Sequence, residues 1–416
     1  MLKIQKNLSN LFYVVLGLPS TAMGFALSIQ IAVLSWILRT RYNLEIDQIG
    51  IVWAAGPIAG ILGQPIIGLI SDKVWFWGGR RKPFIIIGGI LAALMILALP
   101  NIDKIDTFFG IGSLMAVAIT VALTLDLSIN ISFNPTRSII ADVTPDGQPR
   151  TKGYTWMQSI SNLFGSGAYL MGALIGNYFL IYAGVIIVLL FSIGPLFFIR
   201  EPRHLEPAAL EPGQTTPSAT RWGELFKLYF AHGFSWLGIQ TMFIYIFAFL
   251  EQKLPASSSL TADENNLRLG QMIGWSFFIL NGVGAIWPAF LLEPISRKLG
   301  RVKTHAMAVA IMSAGYFMIV FWAHSAFLLY SFMCILTIGW AAVVSLPFAI
   351  MSEKVDKSRM GFFMGIFNLS VVLPQLVSSF AIGTLINNAA DKSLVFLISG
   401  ISLGISALLW LFVKEK

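Results

Sequence analysis

Long apolar runs alternate with short polar interruptions along nearly the whole chain. A helix needs about 20 residues to cross a bilayer, and the runs predict twelve such spans. Their approximate cores are 10–38, 48–70, 83–100, 107–134, 154–177, 179–199, 223–250, 269–292, 304–323, 326–350, 360–386 and 393–413. One stretch breaks the rhythm. Between Arg200 and Arg221, Pro202, Pro207, Pro212 and Pro217 recur at every fifth position, with Glu201, Glu206 and Glu211 beside the first three. A segment so polar and proline-rich buries no core and predicts an extended linker. The chain thus divides into a six-span half at 1–199, a linker at 200–222 and a second six-span half at 223–416.

Composition agrees with that reading. Of the 416 residues, 56% are hydrophobic and only 12% charged, against about 25% charged in soluble domains. The expected class is an all-α membrane protein. The first apolar run is too long for a cleavable leader and lacks a small-residue cleavage pattern, so it is read as the first span. The net charge of +8 raises the question of nucleic acid, but the positions of the bases answer it. With the amino terminus inside, about three quarters of the 28 Lys and Arg fall in inner segments, among them Lys73, Arg80, Arg81, Lys82, Arg297, Lys298, Arg301 and Lys303. That bias is the positive-inside rule. It predicts both termini in the cytoplasm, a lipid bilayer as surroundings and no nucleic-acid partner. Short loops and compact termini point to a bacterial inner membrane, and a monomer is expected. Cys334 is the single cysteine, so no internal disulfide forms. His204, His305 and His324 are placed in or near loops, and His232 near the membrane edge as a hydrogen-bonded side chain. Their spacing predicts no metal site and no cofactor.

The two halves read as copies. Asp72-Lys73 and Gly79-Arg80-Arg81-Lys82 follow span 2, and Arg297-Lys298 and Gly300-Arg301-Val302-Lys303 follow span 8. Ala141-Asp142 leads to Arg150 after span 4, and Ser352-Glu353 leads to Arg359 after span 10. Asn162-Leu163 and Asn368-Leu369 hold similar depths in spans 5 and 11. Such recurrence marks a duplicated six-helix unit.

The candidate chemistry starts at Asp126, the lone charge in the apolar run from Phe108 to Ile131. A carboxylate at membrane depth costs several kcal/mol and is kept where it faces a polar cavity or a partner. At about 100° per residue, the eleven positions from Asp126 to Arg137 bring both side chains within about 20° of one direction, with Asn130 and Asn134 near the same face. The two charges stand about 16 Å apart along a straight helix, so a solute or a rearranged state is expected to bridge them. Removing a carboxylate from water disfavours its charged form, which suits a group that takes up and releases a proton. Other amides within the spans are Gln30, Gln64, Gln240, Asn281, Asn368 and Gln375. Amides donate and accept, as a hydroxyl-rich ligand requires, and they also serve as glue between helices. Trp53 and Trp287 are deep enough to stack on a bound solute, with core packing as the alternative. Asp72, Arg80 and Arg81, and likewise Asp142 with Arg150 and Glu353 with Arg359, lie at the cytoplasmic surface and are read as gating latches between helix ends.

Several motifs together carry a family resemblance. Gly68-Leu-Ile-Ser-Asp72-Lys73 with Gly79-Arg80-Arg81-Lys82-Pro83 resembles the loop between the second and third helices of the major facilitator superfamily. The longer gap between the acid and the Gly-Arg pair is similar to the sucrose-transporter branch of the glycoside–pentoside–hexuronide cation symporters. Gly56-Pro57-Ile58-Ala59-Gly60, Gln64-Pro65-Ile66-Ile67-Gly68, the segment Arg137 to Asp142, Pro347-Phe348-Ala349 and the segment Phe367 to Gln375 resemble that branch too. Span 7 departs from it, with Glu251 alone at its outer end where the family has an acidic pair. The resemblance implies a major facilitator fold of two pseudo-symmetric six-helix halves, alternating access, and proton-coupled symport of a sucrose- or maltose-like glycoside. It implies that Asp126 and Arg137 couple the proton, that Gln30, Asn130 and Gln240 line the cavity, and that span 2 lacks the acids of sodium-linked relatives. An uncoupled sugar facilitator, a proton-driven exporter and a non-transporting solute-binding protein are the alternatives. A membrane-embedded enzyme would need clustered His, Asp or Ser chemistry, which the spans lack.

Overall fold

Apolar side chains in helical register bury against one another once the chain leaves water, and backbone groups in hydrocarbon must bond within their own segment. A computed structural model of the protein describes residues 5, 7–61, 70, 74–145, 148–202, 221–255, 260–285, 287, 291–352, 354–355 and 360–415. Its principal helices are α1 (Asn10–Thr40), α2 (Ile46–Trp53), α3 (Lys82–Ala98), α4 (Leu114–Val143), α5 (Gln148–Leu174) and α6 (Asn177–Ile193). They are followed by α7 (Trp222–Lys253), α8 (Ala262–Phe278), α9 (Arg301–Trp322), α10 (Ala326–Ser352), α11 (Met360–Val377) and α12 (Leu394–Trp410). Among the described residues, eight helices are long and apolar enough to cross a membrane, and Ile46–Ile61 and Leu394–Trp410 are shorter apolar helices. The fold is an all-α membrane architecture; the β pairing among the described residues is one isolated bridge, Phe76 with Gly79.

Two compact units appear, one of residues 1–44 and 55–208, the other of residues 45–54 and 209–416. In the first, α1 packs on α5 and α6, and α3 packs on α4 and α6. In the second, α7 packs on α11 and α12, and α9 packs on α10 and α12. These are the same pairings six helices later, the packing counterpart of the sequence repeat. The second unit also contains α2, which packs on the π-helical segment Ser378–Ile382 and the short helix Gly383–Asn388. Residues 203–220, most of the expected linker, lie outside the described residues.

Span 4 differs from its expected bounds of 107–134. Phe108 and Phe109 belong to the short helix Ile102–Phe109, which ends at Gly110 in the left-handed region (φ 62°). Gly112 is left-handed as well (φ 72°), and α4 begins at Leu114. Glycine takes that conformation without a Cβ penalty, so two glycines cut a run that hydropathy reads as continuous. At its other end α4 continues through Pro135 to Val143, carrying Arg137 and Asp142 inside the helix. His305 is a second correction: α9 starts early enough to bury it completely, rather than leaving it near a loop.

Matching carboxylates fasten corresponding helix ends. Glu201 accepts from the backbone N–H groups of Arg80 (2.7 Å), Arg81 (2.8 Å) and Lys82 (2.9 Å) at the start of α3. Glu415 accepts from the N–H groups of Arg301 (2.7 Å) and Val302 (2.9 Å) at the start of α9. The first N–H groups of a helix have no partner inside it, and its amino terminus favours negative charge. In each unit a glutamate a few residues beyond the sixth helix thus caps the third, beside the repeated basic motif. Loss of a cap costs about 0.5–2 kcal/mol. Glu201→Ala and Glu415→Ala are each expected to lower the thermal midpoint of the protein in detergent. Asp103→Ala, which breaks the exposed Arg41–Asp103 pair (3.4 Å), is the control expected to leave it unchanged.

Candidate functional site

Asp126 faces inward from α4 and is only 7% exposed. Gln30 of α1, 2% exposed, donates from Nε2 to Asp126 Oδ2 at 2.8 Å. Asn130, one turn on, donates to the main-chain oxygen of Asp126 at 2.8 Å. Gly56 completes the wall: a Cβ there would lie 3.3 Å from both carboxylate oxygens, so the missing side chain leaves room for the acid. The partner of Asp126 is therefore an amide, and among the described residues no cation pairs with it. Gln30 Oε1 is buried with no hydrogen-bond partner. An acceptor in that state, next to a carboxylate, suits the hydroxyl of a polar solute.

Arg137 is not brought to Asp126. Its side chain is exposed, and its guanidinium carbon lies 4.2 Å from the centroid of the Phe133 ring one turn back. Its carbonyl accepts from Tyr154 Oη of α5 at 3.2 Å. A cation over a ring face is stabilised by the ring quadrupole while its N–H donors remain available.

The second unit pairs two of its amides. Gln375 of α11 donates to Gln240 Oε1 of α7 at 3.2 Å. Asn281 lies in the π-helical segment Ile279–Val283 that follows α8, a distortion common at functional sites. It donates to the Phe277 carbonyl at 3.0 Å and accepts from Trp340 Nε1 at 3.2 Å. Trp340, partly exposed on α10, meets Phe243 (5.4 Å) and Trp236 (6.1 Å) through ring contacts. Asn368 is half-buried on α11. Trp53 is buried, and Trp287 donates to Thr337 Oγ1 at 2.5 Å. His232 is hydrogen-bonded as expected but deeper than the membrane edge: it is 2% exposed and accepts from Trp236 Nε1 at 3.0 Å.

Of the residues read as latches, Arg81 and Asp142 meet. Arg81 Nε lies 3.0 Å from Asp142 Oδ2, with the two side chains 7% and 10% exposed. This pair ties α3 to α4 inside the first unit. Arg80 contributes a backbone N–H to Glu201. Gln64, Asp72, Glu353 and Arg359 lie outside the described residues, as does the side chain of Arg150.

The sequence reading missed Trp340, Trp236, Phe133, Glu201 and Glu415. An indole in an apolar run gives no periodic signal, and the carboxylates stood in segments read as linker and tail. Among the described residues, no three His, Cys, Asp or Glu side chains come together as a metal site would require.

Residues 17–379 match the Major Facilitator Superfamily. The sucrose transport protein SUT1 of Oryza sativa subsp. japonica is 24% identical over 445 residues, covering 88% of this chain and 80% of the relative. The sucrose transport protein SUC4 of Arabidopsis thaliana is 21% identical over 435 residues, covering 89% and 83%. Among solved structures, the nucleoside transporter NupG superposes with a TM-score of 0.71 at 11% identity, over 97% of this chain and 98% of that one. A bacterial homolog of the human lysosomal transporter Spinster gives 0.66 at 14% identity, over 99% and 97%. At such identities the solved structures speak to fold alone. The protein is a multi-pass membrane transporter rather than an enzyme, and it belongs to the Major Facilitator Superfamily.

Proposed function

We propose that the protein is a secondary active transporter that carries a glycoside, of the size of sucrose or maltose, together with a proton. The observation that carries this reading is the buried Asp126–Gln30 pair with its unpartnered amide oxygen. A carboxylate partnered by a neutral amide binds a proton without breaking an ion pair. The adjacent acceptor takes a hydroxyl from the solute, so proton and sugar meet at one place. Asn130 steadies the helix at that turn, and Arg137 offers donors further along α4. In the second unit Trp340 and Asn281 supply an aromatic face beside a polar edge, and Gln240 with Gln375 supplies further amide groups. An aromatic body with a polar rim suits a sugar, whose C–H faces are apolar and whose edges are hydroxyls. The names of the sucrose-transporting relatives favour the same substrate class. The placement of Lys and Arg orients both termini to the cytoplasm, and the two six-helix halves at 1–199 and 223–416 move as the alternating elements.

Proteoliposomes with an inward proton gradient and labelled sucrose or maltose test the coupling. The parent is expected to accumulate sugar uphill. Asp126→Asn is expected to lose accumulation and keep sugar exchange. Equal, gradient-independent uptake by both proteins would leave an uncoupled facilitator in its place.

The aromatic face has its own test. Trp340→Ala is expected to raise the half-saturation concentration about tenfold, which corresponds to about 1.4 kcal/mol. Trp340→Phe is expected to lose less, and both variants are expected to keep gradient-driven uptake. Unchanged half-saturation in Trp340→Ala would remove Trp340 from the sugar site.

A further inference from the structure

A row of polar side chains runs along one side of α5. The helix is 27 residues long, enough to cross a bilayer, yet among the described residues it is not one of the eight helices apolar enough to do so. Tyr154, Gln158, Asn162 and Ser166 recur at every fourth position, and positions four apart follow one another on one side of a helix. Asn162 lies near the middle of α5, about 20 Å from either end, and so near the bilayer midplane.

Two sets of contacts fix the height of the row. At its foot, Tyr154 Oη donates to the Arg137 carbonyl of α4 at 3.2 Å. The adjoining side of α5 runs along α1: Ser161 Oγ lies 3.1 Å from Thr21 Oγ1, and a Cβ on Gly165 would lie 3.3 Å from Ser28 Oγ. Gln30, which holds Asp126, comes two residues after Ser28. The row therefore climbs from the level of Arg137 at Tyr154 to that of Asp126 near Ser166. Gln158 and Asn162 stand between, about 6 and 12 Å above Tyr154. They fall within the interval of about 16 Å that separates the two charged residues along α4.

Gln158 Nε2 donates to Asn162 Oδ1 at 2.8 Å, and both side chains are exposed. That bond leaves Gln158 Oε1 as an acceptor, with one N–H of Gln158 and two of Asn162 as donors. Hydrocarbon satisfies none of them, so this side of α5 borders water or solute rather than lipid. The duplicated fold does not require the pair: the counterpart of Asn162 in α11 is Asn368, and four residues before it stands Met364. A single sugar ring held at Asp126 leaves the lower amide unused, whereas a second ring extending along the row meets both. We propose, on the glycoside reading above, that Gln158 and Asn162 contact the hydroxyls of the second ring of a solute whose first ring is held at Asp126. They thereby select two-ring over one-ring sugars.

Two measurements on the full-length protein test this. The native Cys334 is exposed, so Asn162→Cys is made together with Cys334→Ser. In permeabilised proteoliposomes its thiol is expected to react with a charged, water-soluble maleimide, and maltose is expected to slow the reaction several-fold. A thiol that stays unreactive, or that maltose leaves unprotected, would overturn the proposal. Exchange of labelled maltose then compares the parent with Gln158→Leu and Asn162→Ala. Each variant is expected to raise the half-saturation concentration for maltose about tenfold, the effect of a lost hydrogen bond. The concentration of glucose needed to compete is expected to change far less. No change for maltose, or equal changes for maltose and glucose, would overturn the proposal and leave the glycoside reading standing. A parent that exchanges neither maltose nor sucrose would overturn that reading and this proposal with it.

Discussion

The structure turns on the cost of a polar group where no water can reach it. In hydrocarbon, every such group must be answered by the protein itself. At Asp126 the answer is Gln30, and the choice of an amide matters. A cation would hold the carboxylate in one form. An amide can donate to a carboxylate through its nitrogen and, after a flip, accept from a carboxylic acid through its oxygen. Both protonation states of Asp126 thus have a partner within reach of one side chain. Gly56 contributes by having none, since the space beside the carboxylate oxygens is too tight for a methyl group without movement.

A related demand acts at the helix ends, where the first N–H groups have no partner inside the helix. Backbone N–H groups at the starts of α3 and α9 are answered by Glu201 and Glu415, each set just beyond the sixth helix of its unit. Each of these helices begins within a cluster of Lys and Arg, so one carboxylate both supplies acceptors and offsets positive charge. In the first unit the buried Arg81–Asp142 pair adds a side-chain bond at the same end. Removing one partner of such a pair would strand the other charge, which costs more than the pair itself contributes. The repeated cap shows that the duplication extends beyond hydrophobic packing to individual polar contacts.

Much of this was legible in the sequence for physical reasons. Helices in lipid must be apolar over a fixed length, so hydropathy located the spans, and Asp126 stood out because nothing else in its run is charged. Boundaries were harder. Hydropathy does not register the backbone torsion that ends a helix at Gly110, nor does it follow α4 past Pro135, where polar residues continue the same helix. Partners were harder still. Gln30 was one amide among several, and only the packing of α1 on α4 selects it for Asp126. Glu201 fell in a stretch whose prolines and acids predicted a linker, yet one carboxylate at its edge is a structural cap. Trp340 carried no signal, because an indole in an apolar helix looks like core until its N–H is seen to meet Asn281.

Arg137 completes the account of α4. It shares a helix face with Asp126, yet it rests on Phe133 and forms no ion pair among the described residues. Joined directly, the two charges would neutralise each other and satisfy most of each other's hydrogen bonds, leaving little for a solute to gain. Held apart, the carboxylate keeps an amide partner that serves both of its forms, and the guanidinium keeps its N–H fork. The ring quadrupole balances part of the positive charge without using those donors. Two charged groups thus stand on one helix, one bonded to an amide and the other resting on a ring. A closed salt bridge would instead commit each group to the other, and removing either would leave an uncompensated charge.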